Sequence, residues 1–220
     1  MKTRYVLIIL VVFAAIAFAG MSFLQGPTVS QVANTSPQST DKSLSAQIEQ
    51  TGTTQMDKKA LIVYFSYTGN TRTLAAQIRQ SVGGDIFELQ PATPYSTDYD
   101  TVVKQGKQEV ASGYKPPLKS KVDNLASYDV IFVGTPIWWY TIAPPVATFL
   151  AESELAGKTI IPFCTHGGYG AGHSAEDIKK LAPKATVLDE LVLSGSQSYS
   201  QTEISAWLNK VGFNKSYERN

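Results

Sequence analysis

The sequence predicts an α/β domain, a parallel sheet packed between two layers of helices. Three observations predict it. Short apolar runs recur through the chain from residue 58 onward. Amphipathic stretches separate them, and the alternation is regular, which strands buried on both faces and crossover helices require.

The elements follow in order. Ala60 to Phe65 is an unbroken apolar run, read as the first strand. Thr71 to Val82 places Leu74, Ala75, Ile78 and Val82 on one helical face, and Gly83-Gly84 stops the helix. Ile86 to Leu89 is the second strand, and Thr101 to Ser112 is a helix weakened by Gly106. Val130 to Val133 is the third strand. Pro144-Pro145 opens a helix, where a missing N–H costs nothing. Thr159 to Cys164 is the fourth strand. Ser174 and Asp177 make a capping box for a helix ending at Leu181. Val187 to Leu193 is the fifth strand. Ser200 and Glu203 cap a last helix with an inner face of Ile204, Trp207, Leu208 and Val211.

Two segments precede this domain. Lys2 and Arg4 stand before an uncharged stretch, Tyr5 to Leu24, long enough to span a bilayer as a helix. The charge bias keeps the N-terminus inside and sends the rest across. A cleaved signal peptide is the alternative, with small-x-small sites at Ala15-Ile16-Ala17 and Ala17-Phe18-Ala19. Residues 1–24 are therefore read as an anchor or signal, and residues 25–57, rich in Ser, Thr, Gln and Asn, as a disordered linker. A coil of that length reaches about 30 Å on average. The expected location is the cell membrane, single-pass with the domain outside, or the periplasm or exterior after cleavage.

Composition excludes some functions. The 220 residues carry a net charge of +1, which supplies no field for nucleic acid. Cys164 is the single cysteine, so no internal disulfide can form. His166 has no Cys, Asp or second His at ligand spacing, and no metal site is expected.

In open parallel sheets, ligands bind beyond the carboxyl ends of the strands. Three loops occupy those positions. The first, Ser66-Tyr67-Thr68-Gly69-Asn70-Thr71, joins a strand to a helix and surrounds a helix N-terminus with hydroxyl donors. That arrangement suits a terminal phosphate. It has neither the lysine of a triphosphate loop nor the Gly-x-Gly-x-x-Gly of a dinucleotide loop. The second, Thr135-Pro136-Ile137-Trp138-Trp139-Tyr140-Thr141, offers consecutive aromatics as a wall for a flat ring, with one Trp expected to face the core. The third, Thr165-His166-Gly167-Gly168-Tyr169-Gly170-Ala171-Gly172, lets backbone approach a ligand closely and offers Tyr169 as a second stacking face.

These loops, with Gly134 ahead of the second, resemble the three FMN-binding loops of flavodoxins, in the same order and at similar separations over Ala60 to Phe213. The resemblance implies a flavodoxin-like three-layer sandwich, a five-stranded parallel sheet in the order 2-1-3-4-5 with helices on both faces. It implies non-covalent FMN, its phosphate on Ser66, Thr68, Asn70 and Thr71 and its ring between Trp138–Tyr140 and Tyr169. The function implied is electron transfer with a redox protein partner; a small FMN-dependent NAD(P)H quinone or nitro reductase is the alternative. The second loop departs from many flavodoxins in having no glycine.

Limited proteolysis of the full chain should cut within residues 25–57 and leave a stable fragment beginning near Lys58, identified by mass spectrometry. Cuts spread through residues 58–213 would contradict the domain boundary.

Overall fold

The computed structural model describes residues 58–196 and 198–213. The proposed anchor and linker lie outside the described residues. Strand β1 (Ala60–Tyr64) leads to helix α1 (Asn70–Val82), then β2 (Asp85–Glu88) and α2 (Tyr99–Ser112). Strand β3 (Val130–Trp138) turns into the short β4 (Thr141–Ile142), followed by α3 (Pro144–Glu152). Then come β5 (Thr159–His166), α4 (Ser174–Leu181), β6 (Thr186–Val187), β7 (Leu191–Ser194) and α5 (Gln201–Lys210).

The parallel sheet runs β2-β1-β3-β5-β6, with β7 also pairing with β5 and β4 pairing antiparallel with β3. This is the predicted order with two changes. The predicted fifth strand is two pieces, because the chain leaves the ladder between Val187 and Leu191. There Glu190 turns inward to the Ser174 hydroxyl, and the Asp189 carbonyl accepts from the Trp207 indole at 2.9 Å. The predicted second loop is mostly strand: β3 continues to Trp138 and closes a hairpin with β4.

Alternation of side chains across the sheet sets the two helical layers. Ala60, Ile62 and Tyr64 of β1, with Phe132 of β3 and Phe163 of β5, pack under α1 and α5. Leu61, Val63 and Phe65, with Ile131 and Val133, pack under α3 and α4. α2 lies against β3 and α3. The inner face predicted for α5 is correct for Ile204, Trp207 and Leu208, all buried, and Ser200 accepts from the Glu203 N–H as predicted.

Ser174 does not cap α4. His173 occupies that position, and the Ser174 hydroxyl serves the half-buried Glu190 carboxyl instead. Burial raises the Glu190 pKa, and the same burial raises that of the Cys164 thiol beside it. Cys164 is fully buried and free, in keeping with an inert core residue.

Two glycines are required by close packing. A Cβ on Gly134 would lie 2.2 Å from Phe163 Cζ and 2.8 Å from Tyr64 Cβ. A Cβ on Gly106 would lie 3.0 Å from Trp138 Cε3, so the residue that weakens α2 by propensity makes room for an indole. Gly134→Ala should overpack the sheet and cost about 1–3 kcal/mol in urea unfolding, and adding Phe163→Leu should recover part of the loss. An unchanged unfolding midpoint would show that the layer yields freely.

Candidate functional site

The carboxyl ends of β1, β3 and β5 bring the three predicted loops to one edge of the sheet. The first is built around the start of α1. Gly69 takes φ +93° as the N-cap residue, and no side chain caps this end. The first helical bond found here is Thr73 N–H to the Gly69 carbonyl, so the N–H groups of the opening turn face outward unpaired. The Ser66 hydroxyl is buried with no hydrogen-bond partner. A buried hydroxyl left unpaired costs free energy, so this atom fits a site that a polar ligand completes.

The other side chains of this loop divide into two groups. Thr68 is exposed, and its Oγ1 accepts from Asn70 Nδ2 at 3.3 Å. Thr71 is buried, and its hydroxyl pairs with that of Thr165 at 2.8 Å. Thr71 and Thr165 therefore join the first and third loops to each other. The carbonyl of Asn70 accepts from the Tyr199 hydroxyl at 3.3 Å, which links the loop to the segment before α5.

The aromatic end is a cleft of about 330 Å³ bordered by Tyr67, Ile137, Trp138, Trp139, Tyr140, His166, Gly167, Tyr169 and Gly170. All of these are sequence-predicted site residues. The rest of the lining is not: it consists of Tyr99, Val102, Val103 and Gly106 on α2. Sequence reasoning missed these residues because the helix lies far from the three loops in the chain. The available signal was Gly106 within a helical pattern, which often marks close packing.

Trp138 is the indole that faces inward. It meets Phe65, Tyr67 and Tyr95 edge-on, at centroid separations of 5.7, 6.1 and 5.0 Å. The Tyr67 hydroxyl donates to the Ser96 carbonyl at 3.0 Å. Trp139 and Tyr140 form the two-residue turn of the β3–β4 hairpin at φ +51° and +66°. Such turns demand left-handed backbone and usually recruit Asn-Gly. Here two bulky residues adopt it, at a cost of order 1–3 kcal/mol each. Three contacts hold the turn: Trp139 Nε1 donates to the Val103 carbonyl at 3.2 Å, Lys107 Nζ lies 5.0 Å from the Trp139 ring centroid, and the Tyr140 carbonyl accepts from the His173 N–H at 2.7 Å.

Tyr169 is 81 % exposed and meets Tyr140 edge-on at 6.2 Å. His166 accepts from the Gly168 N–H on Nδ1 at 3.0 Å, and its carbonyl accepts from the Gly195 N–H at 2.8 Å. Both bonds shape the third loop. Pro136 and Ile137, half-buried, carry β3 to the hairpin, while Gly168 is exposed at the tip of the third loop. Thr135 is buried, and its hydroxyl accepts from the Ala143 N–H at 3.0 Å, fixing the hairpin to the start of α3.

An uncapped helix end beside an aromatic cleft, on the carboxyl edge of a 2-1-3-type parallel sheet, defines a doubly wound α/β protein with its ligand site at that edge. A flavodoxin family model matches residues 59–211, more than half of the chain. The chain belongs to the flavodoxin family. It is similar to a candidate flavoprotein from Bacteroides eggerthii, at 35% identity over 71% of this chain and 99% of that one, with a TM-score of 0.64. A second, from Bacteroides uniformis, is 31% identical over 69% of this chain and 98% of that one, with a TM-score of 0.62. A flavoprotein of Lactobacillus acidophilus, solved in complex with FMN, shares the fold at 20% identity, with a TM-score of 0.55, over 68% of this chain and 98% of its own. No curated protein sequence matches the chain.

The two threonines should separate on mutation. Thr71→Val strands the buried Thr165 hydroxyl and should cost about 1–3 kcal/mol of apoprotein stability. Thr68→Ala, at an exposed position, should shift stability by less than about 0.5 kcal/mol. Urea unfolding of the apoprotein checks both; equal effects would show that the Thr71–Thr165 bond carries nothing.

Proposed function

We propose that this chain is an FMN-binding electron-transfer protein, held at a membrane by its N-terminal segment with the flavodoxin domain outside. The observation that carries the cofactor is the buried, unpartnered Ser66 hydroxyl in a loop whose helix end is also uncapped, on the same sheet edge as the aromatic cleft. Donors there match a phosphate, and the cleft matches a flat ring. FMN, when bound, supplies the redox centre.

The protein's residues bind and orient it. Backbone N–H groups at the start of α1, with the hydroxyls of Ser66 and Thr68, hold the phosphate. Trp139, Tyr140 and Tyr169 wall the ring, together with Val102 and Val103 of α2. Tyr99, Trp139, Tyr140 and Tyr169 are exposed around the cleft, which supports electron exchange with a docking protein at the rim. Among the described residues, no helix is long and apolar enough to cross a membrane. The tethered reading rests on the composition of residues 5–24 and the charges before them.

The full chain, purified in mild detergent from the membrane fraction, should be yellow and release FMN on heating. It should stay oxidised with NAD(P)H alone and bleach once a reduced redox partner is added. Rapid bleaching by NAD(P)H would replace the carrier by a reductase. A colourless protein that takes up no FMN would overturn the cofactor. Colour retained by the denatured polypeptide would overturn non-covalent binding. A protein found free of the membrane with its mature N-terminus near Gly20 would replace the anchor by a signal peptide.

A further inference from the structure

The loop read as the phosphate site contains no Lys or Arg, but the residue that follows it in the chain, Arg72, is a cation. Arg72 lies in the first turn of α1. Its Nε donates to Glu88 Oε2 at 3.0 Å, and its Nη2 bonds Glu88 Oε1. Glu88 is itself fixed by the Tyr64 hydroxyl, which donates to Oε2 at 3.1 Å. Burial, then the Glu88 charge, pushes the Tyr64 pKa up to about 12, so this hydroxyl keeps its proton.

The clamp on Glu88 occupies one edge of a planar fork that carries five N–H donors. The remaining edge, Nη1, lies 3.9 Å from where a Cβ on Gly69 would stand, and apart from Gly69 and its two chain neighbours no other heavy atom comes within 4 Å of that point. There is thus open space beside Gly69, bounded by a guanidinium edge. The buried Ser66 hydroxyl without a partner belongs to the same loop and points independently to a ligand there.

We infer that Arg72 is a phosphate-binding residue: Glu88 and Tyr64 hold its guanidinium so that the free Nη1 edge faces the loop and selects phosphorylated over unphosphorylated flavin. The inference rests on the reading that FMN binds with its phosphate at the start of α1. The competing account is a surface ion pair joining α1 to β2. Such a pair contributes little, and its loss would not discriminate between ligands.

The test compares FMN and riboflavin on the full chain in detergent, by quenching of flavin fluorescence, with inorganic phosphate as a competitor. Arg72→Gln should weaken FMN about tenfold or more, since a charge-assisted hydrogen bond is lost, and leave riboflavin affinity unchanged. Inorganic phosphate should lose potency against FMN in the same variant. Arg72→Lys, which keeps a charge without the fork, should fall between, and it serves as the test if the Gln variant does not fold. An FMN-to-riboflavin affinity ratio unchanged from the parent would overturn the inference while leaving the cofactor assignment standing. A parent that binds riboflavin as tightly as FMN, or neither, would overturn the phosphate-site reading and this inference with it.

Discussion

The packing of Trp138 is the contact on which the ligand edge of this domain depends. Its indole touches the end of β1 through Phe65, the first loop through Tyr67, the segment before α2 through Tyr95, and α2 through Gly106. Large apolar side chains in edge-on contact gain both buried area and favourable geometry. The helix gives up propensity at Gly106 to allow it, and the hairpin beyond Trp138 inherits its position from it.

Around that contact the loops are fastened by hydrogen bonds between distant residues. Thr71 pairs with Thr165, the Gly195 N–H donates to the His166 carbonyl, and the His173 N–H donates to the Tyr140 carbonyl. Each bond spans two loops that leave different strands. The site is thereby fixed in shape ahead of a ligand, which lowers the ordering cost of binding. The groups left unpaired, Ser66 Oγ and the N–H groups at the start of α1, lie together in the first loop.

The hairpin turn shows what such fastening permits. Trp139 and Tyr140 adopt backbone conformations that glycine takes at little cost and aromatic residues do not. Surrounding bonds offset the strain, and two large rings are thereby displayed at the cleft. A glycine pair would relax the turn but leave the cleft without that wall. The missing glycine in this loop is a substitution of side-chain surface for backbone ease.

The sequence by itself determined the layered α/β fold, the helix ends at Ser200 and Gly83, and the three loops at the ligand edge. It could do so because apolar periodicity and capping chemistry act over a few residues and are written locally. Residues 60–65 and 130–133 had to be strands buried on both faces, whatever surrounded them. Only the tertiary structure decided which loop side chains remain free. Thr71 reads as a ligand donor in sequence and in the fold pairs with Thr165, and Ser174 looks like a cap but serves Glu190. Only the folded chain brought α2 to the cleft and fastened Arg72, the residue after the first loop, to Glu88. A polar group bonds to whatever stands nearest in space, and in a parallel sheet the nearest partner lies one crossover or more away in the chain, beyond the reach of any local pattern.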